Sequence, residues 1–212
     1  MADVRVNGKR ITPLQSVDNL ALLIKKLEAL GHKTNSSLTA LSVNQSFVDL
    51  ENKEILKLKL KTQDTIEARL DTPEQLSYES LQVSLEMANL LVFDLKIVTL
   101  KLWDSTQEYA KSLENLLNDC HLFLSLAARP LCLLQKKPEE LEHDAQIFLK
   151  QLDLIAQYLE DTTLLAVHGH KKEACYMLVG KVKPAIEQWI GLSGRFAQIL
   201  DINSLNNKNS VT

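Results

Sequence analysis

The sequence predicts an α+β protein in two parts: short strands around one helix over residues 1–72, then an antiparallel four-helix bundle over 73–203, with a frayed polar tail at 204–212. Three observations carry this reading. β-prone runs punctuated by turn residues fill the first seventy positions. Residues 74–103 are a stretch of thirty without Gly or Pro. Beyond it, apolar residues recur at spacings of three and four in three more segments separated by brief polar breaks.

The bulk numbers set the frame. At 45% hydrophobic and 24% charged, the 212 residues have the composition of a folded protein rather than a disordered one. The formal charge of −3, with no basic run longer than two residues, gives no electrostatic case for nucleic acid. The opening Met1-Ala2-Asp3-Val4-Arg5 lacks the apolar core of a signal peptide, and no later segment is long and uncharged enough to span a bilayer. A cytoplasmic protein without membrane contact is expected. Cys120, Cys132 and Cys175 form no C-x-x-C pair, and each falls among apolar residues, so reduced and buried thiols are expected.

The strands come first. Val4-Arg5-Val6, Asn7-Gly8 and Lys9-Arg10-Ile11 read as a hairpin with a type I′ turn, because both central residues need positive φ. Ser16 is placed to N-cap a helix whose buried face is Leu20, Leu23, Ile24, Leu27 and Leu30, and Gly31 to close it as a C′ residue. Leu41 and Val43 alternate with polar neighbours as in a half-buried strand, Asn44-Gln45 turns the chain, and Phe47-Val48 starts a short return. Leu56, Leu58 and Leu60 alternate with lysines, and Thr62-Gln63-Asp64 turns into a last strand, Thr65 to Leu70. Hairpin, helix, strand, short strand and final strand is the order of a ubiquitin-like β-grasp domain.

Within it, residues 39–70 resemble the second half of the sulfur-carrier β-grasp proteins of thiamine and molybdopterin synthesis. Ala40-Leu41-Ser42-Val43-Asn44-Gln45-Ser46-Phe47-Val48 is similar to their strand-Asn-turn-strand segment, and Gln63-Asp64-Thr65-Ile66 stands where they have Gly-Asp before strand residues. The resemblance implies the fold. The working group of that family is a free C-terminal Gly-Gly, and this sequence contains no Gly-Gly, running from Leu70 through Asp71-Thr72-Pro73 into the next helix. Recognition or docking, not sulfur transfer, is therefore the expectation for this unit.

The helices follow. Thr72 and Pro73 suit an N-cap and a first helical position. Over 74–103, Tyr78, Leu81, Leu85, Ala88, Val92 and Leu95 trace one face, and Val83, Met87, Leu90, Leu91, Ile97 and Val98 trace a second. A helix apolar on two sides needs several partners. Ser105 is read as the cap of the next helix, with Tyr109, Leu113, Leu116, Leu117, Cys120, Phe123 and Leu124 as its face and Pro130 stopping or kinking it. The third starts at Pro138-Glu139-Glu140 and buries Leu141, Ala145, Phe148, Leu152, Ile155 and Leu159. The fourth begins near Lys171 with Tyr176, Val179, Val182, Ile186 and Ile190 as its face, kinked at Pro184.

Candidate chemistry is sparse. Glu140-x-x-His143 has half of a di-iron spacing, but its second Glu-x-x-His is missing and both residues fall on a polar face. His168-Gly169-His170 could hold a metal with a third ligand. His168-x-x-Lys171 is faintly similar to the phosphoacceptor segment of histidine-phosphotransfer bundles, though Lys172 stands where those have Gly. No phosphate loop, nucleophile elbow or paired-carboxylate motif is present.

The expectation is therefore a non-enzymatic interaction or adaptor protein with no cofactor. It would bind a protein partner, or form a homodimer, through the long helix, with Leu90, Leu91, Ile97 and Val98 as the candidate surface. The alternative is a metal-binding or phosphotransfer protein using the His168/His170 region.

Overall fold

The computed structural model describes residues 2–52, 54–102, 108–134 and 139–209. It divides into two compact units, residues 2–73 and residues 74–209.

The first unit is a five-stranded mixed sheet with a helix on one face. Its strands are β1 (Asp3–Val6), β2 (Lys9–Arg10), β3 (Ser37–Val43), β4 (Ser46–Phe47) and β5 (Thr65–Asp71), in the order β2-β1-β5-β3-β4. β1 and β5 run parallel with Val4 opposite Ile66; β3 is antiparallel to β5, with an irregularity between Leu38 and Ala40. Helix α1 (Leu20–Lys33) buries Leu20, Leu23 and Leu27 against Val4, Val6, Leu41, Ile66 and Leu70.

Two turn asparagines bind this sheet by the same device. Asn7 (φ 49°) and Gly8 (φ 78°) form the expected positive-φ hairpin turn, and Asn44 (φ 51°) with Gln45 (φ 67°) forms a second. The Asn7 side chain then acts as an extra rung beside β5, donating to the Leu70 carbonyl at 2.8 Å and accepting from its N–H at 2.9 Å. Asn44 accepts from the Thr65 N–H at 3.0 Å and donates to the Asp64 carboxylate at 3.0 Å. Asp64 also accepts from the Lys61 N–H at 2.7 Å.

The Asn44 hydrogen bond, helped by the Lys61 N–H, lowers the Asp64 carboxyl below its ordinary value of 3.8. With the folded value depressed, the stabilisation is complete above pH 3.8 and is lost as pH falls from there through the depressed value. Asp64→Ala should cost about 1 kcal/mol at neutral pH. In denaturation curves taken across pH, that difference from the wild type should shrink below the ordinary carboxylate range; a pH-independent difference would refute the assignment.

Two expectations for this unit need correction. Asn19, not Ser16, caps α1, accepting from the N–H groups of Ala21 at 2.8 Å and Leu22 at 3.3 Å. The helix starts late because residues 18–20 are held extended against 58–60, with Leu60 N–H on the Asp18 carbonyl and Leu20 N–H on the Leu58 carbonyl. Gly31 lies inside α1, and the left-handed residue after its end is Asn35 (φ 50°). The alternating leucines and lysines give a 3₁₀ turn at Ile55–Lys57 and one bridge, Lys59 to Asn19.

The second unit is helical: α2 (Pro73–Leu102), α3 (Glu108–Leu133), α4 (Glu139–Val167), α5 (Lys171–Met177) and α6 (Lys183–Asn209), with a π-helical turn at Leu178–Val182 joining the last two. One core unites them. Leu81, Ala88, Leu91 and Leu95 of α2 join Leu113, Leu117, Cys120 and Phe123 of α3, Phe148, Leu152 and Ile155 of α4, and Ile186, Trp189 and Phe196 of α6. Two buried hydroxyls are satisfied by folding back on their own helix, Ser84 on the Ser80 carbonyl and Ser193 on the Trp189 carbonyl, each at 2.8 Å.

α3 does not stop at Pro130, and the helix ahead of Pro184 is not a regular α-helix. α3 continues through Pro130, whose carbonyl accepts from the buried Ser77 hydroxyl of α2 at 2.7 Å. Ahead of Pro184, which has no N–H to offer the carbonyl four residues back, the chain widens and Lys183 donates to the Leu178 carbonyl five residues back. The buried line here is Cys175, Leu178, Val182, Ile186 and Trp189. Tyr176 (73% exposed) and Val179 (42%) lie outside it, contrary to the expected face. The expected cap Ser105 and the helix start at Pro138 lie outside the described residues.

The cysteines divide. Cys120 and Cys175 are buried, as expected, but Cys132 is exposed, because only one side of the last turn of α3 faces the core. Burial, with the Asp119 carboxylate beside it, pushes the Cys120 thiol up to about 12. A disulfide-exchange reagent at pH 8 should therefore titrate Cys132 quickly in the folded protein and release the other two thiols only on unfolding. Fast reaction of all three would contradict the packing around Cys120.

Candidate docking surface

The surface is built on α2. Its thirty residues hold no helix breaker after Pro73, so the helix continues as an uninterrupted rod and fixes the angle at which each side chain leaves the axis. Ser77, Leu81, Ser84, Ala88, Leu91 and Leu95 define the buried side. On the opposite side Val83 is 54% exposed, Leu90 65% and Phe93 59%, and Ile97 is half-buried. Val83, Leu90 and Ile97 are seven residues apart, two full turns, so they fall on one line parallel to the axis. Singly exposed apolar residues are ordinary on any protein; a line of them along one helix is not.

Of the four residues expected to form this surface, Leu90 is on it and Ile97 borders it. Leu91 is 2% exposed and belongs to the core, because one residue turns the side chain by about 100° around the axis. The side chain of Val98 lies outside the described residues. Phe93 is the residue that sequence reasoning missed. The signal was available, since Phe93 stands three residues after Leu90 and four before Ile97.

The same side is acidic. Glu79, Glu86 and Asp94 are exposed and lie within roughly 40° of Leu90 around the axis. No Lys or Arg occurs between Glu74 and Leu95. Lys96 leaves the helix about 120° away from Leu90, off this face.

Other sites offer less. An open apolar groove of about 330 Å³ between α3 and α4 is lined by His121, Leu124, Ala156, Glu160, Thr163 and Leu164. His168 and His170 are exposed where α4 meets α5, and the His168 Nδ1–H donates to the Leu164 carbonyl at 2.7 Å, closing the end of α4. His143 is exposed on α4. Among the described residues no three His, Cys, Asp or Glu side chains are grouped to hold a metal ion, and no helix is long and apolar enough to cross a membrane. No family model, curated protein or solved structure matches the chain.

Proposed function

We propose that this chain is a non-enzymatic interaction protein: a β-grasp docking module followed by an antiparallel four-helix bundle, which holds a protein partner, or a second copy of itself, on the outward face of α2. One observation carries the reading. Val83, Leu90 and Phe93 are each more than half exposed on a helix whose other side is part of the core. Covering a Val, Leu or Phe side chain fully is worth about 1.5–3 kcal/mol, so this face stands to gain several kcal/mol from a partner.

The β-grasp assignment is supported by the sheet order β2-β1-β5-β3-β4, with α1 on one face. In place of a flexible tail after the last strand, Asp71 is followed within two residues by α2. The unit would then serve as a second docking surface, with Phe47, 85% exposed on the two-residue edge strand, as its most accessible large apolar side chain among the described residues.

Site-specific photo-crosslinking tests the proposal. With p-benzoylphenylalanine in place of Leu90, irradiation of cells that make the protein should give one discrete adduct. Phe93→Asp should abolish it. A yield at position 90 no greater than at Gln157, exposed on α4, would refute the proposal.

A further inference from the structure

We infer that the occupant of the α2 face is a basic amphipathic helix of a partner protein; this rests on the reading of that face as a docking surface. The apolar line supplies the contact and the charges choose the partner. Leu90 and Phe93 are flanked by Glu86 and Asp94, with no Lys or Arg in the sequence from Glu74 to Leu95. The acidity belongs to this part of the chain: residues 73–212 carry 13 Lys and Arg against 18 Asp and Glu, whereas residues 1–72 carry 11 against 9.

A second copy fits this pattern poorly. Paired in parallel, each carboxylate meets its own equivalent. Paired antiparallel about Leu90, Glu86 of each copy meets Asp94 of the other, twice, on either side of the central leucine. An anionic lipid surface is repelled by Glu86 and Asp94. A helix with leucine-like residues at i, i+3 or i+4 and i+7, bordered by Lys or Arg, satisfies both the apolar line and its acidic margins.

The test uses fluorescein-labelled amphipathic peptides of roughly 18 residues, about five helical turns, composed of Leu and Lys or of Leu and Glu. Anisotropy titrations with the full chain should show saturable binding of the Leu–Lys peptide and none of the Leu–Glu peptide. Leu90→Asp, on a side chain already 65% exposed, should retain helicity and weaken binding at least tenfold. The double variant Glu86→Lys with Asp94→Lys should weaken it about tenfold and shift preference to the Leu–Glu peptide. Glu28→Lys with Glu51→Lys, both exposed in the first unit, should leave it unchanged.

Failure of the Leu–Lys peptide to bind, or equal losses from the Glu28/Glu51 and Glu86/Asp94 variants, would overturn the inference. Light scattering separates this from failure of the docking reading itself. A wild-type dimer lost in Leu90→Asp keeps α2 as the docking face and overturns the basic-helix occupant. The absence of a crosslink at position 90, of peptide binding and of a dimer would overturn both.

Discussion

Trp189→Ala is expected to destabilise the helical unit by about 3–5 kcal/mol, the range for removing a large aromatic side chain from a packed core. Trp189 is fully buried on α6 and meets Phe123 of α3 edge-on at 5.0 Å and Phe148 of α4 at 5.2 Å. Phe148 in turn stacks on Phe196 at 5.2 Å. One truncation therefore opens a cavity where three helices meet, and removes two ring contacts worth about 0.5–1.5 kcal/mol each beyond their area. Trp189→Phe should cost much less. Among the described residues the buried indole Nε1–H has no hydrogen-bond acceptor, so replacing it removes an unsatisfied donor while keeping most of the ring. Urea unfolding followed by far-ultraviolet circular dichroism measures both. The ranking Ala well below Phe is the expected result; a Trp189→Ala midpoint near that of the wild type would show that the cluster does not hold the helices together.

Features set by local chemistry were legible in the sequence. Asn7-Gly8 needs positive φ whatever surrounds it, and the long helix follows from thirty residues without a breaker. The apolar stripes of α3 and α4 are read correctly for the same reason, since their 3.6-residue period is uninterrupted over the described part. The failures share another cause: each was decided by a distant segment or a change of period. Ser16 and Asn19 are both good caps, and the pairing of residues 18–20 with 58–60 selects Asn19. Tyr176 and Val179 fit a continuous α-helix, but the wide turn at Leu178–Val182 moves the buried line to Cys175 and Leu178. On α2 both faces are apolar in sequence, and only packing distinguishes Leu91, which belongs to the core, from Leu90, which does not. The candidate surface was thus visible as an excess of apolar residues, but its members were not separable without the neighbouring helices.

Gly31→Ala isolates the same lesson at one position. By helix propensity alone, alanine in the body of α1 should be favoured by about 1 kcal/mol. The structure predicts the opposite sign. A Cβ at position 31 would stand 2.5 Å from the Ser36 carbonyl oxygen and 3.6 Å from a methyl of Leu70. The oxygen is main chain and cannot turn aside. Moreover, the Ser36 N–H donates to the Gly31 carbonyl at 2.8 Å, so the segment that would have to move is the one that satisfies the end of the helix. It passes through Asn35 at φ 50° directly into β3, whose Leu38 pairs with Leu70. Relief at residue 36 is therefore transmitted to the register of the sheet. Crowding of this kind costs about 1–3 kcal/mol, and the lost cap bond about 1 more, against which the propensity gain is the smaller quantity. Gly31→Ala should lower the stability of the sheet unit by about 2 kcal/mol, read as loss of amide protection across β3 and β5 in hydrogen exchange. Increased protection would mean that Gly31 owes its place to nothing more than helix composition. In that case the close passage of residues 35–37 over α1 is slack enough to admit a methyl group.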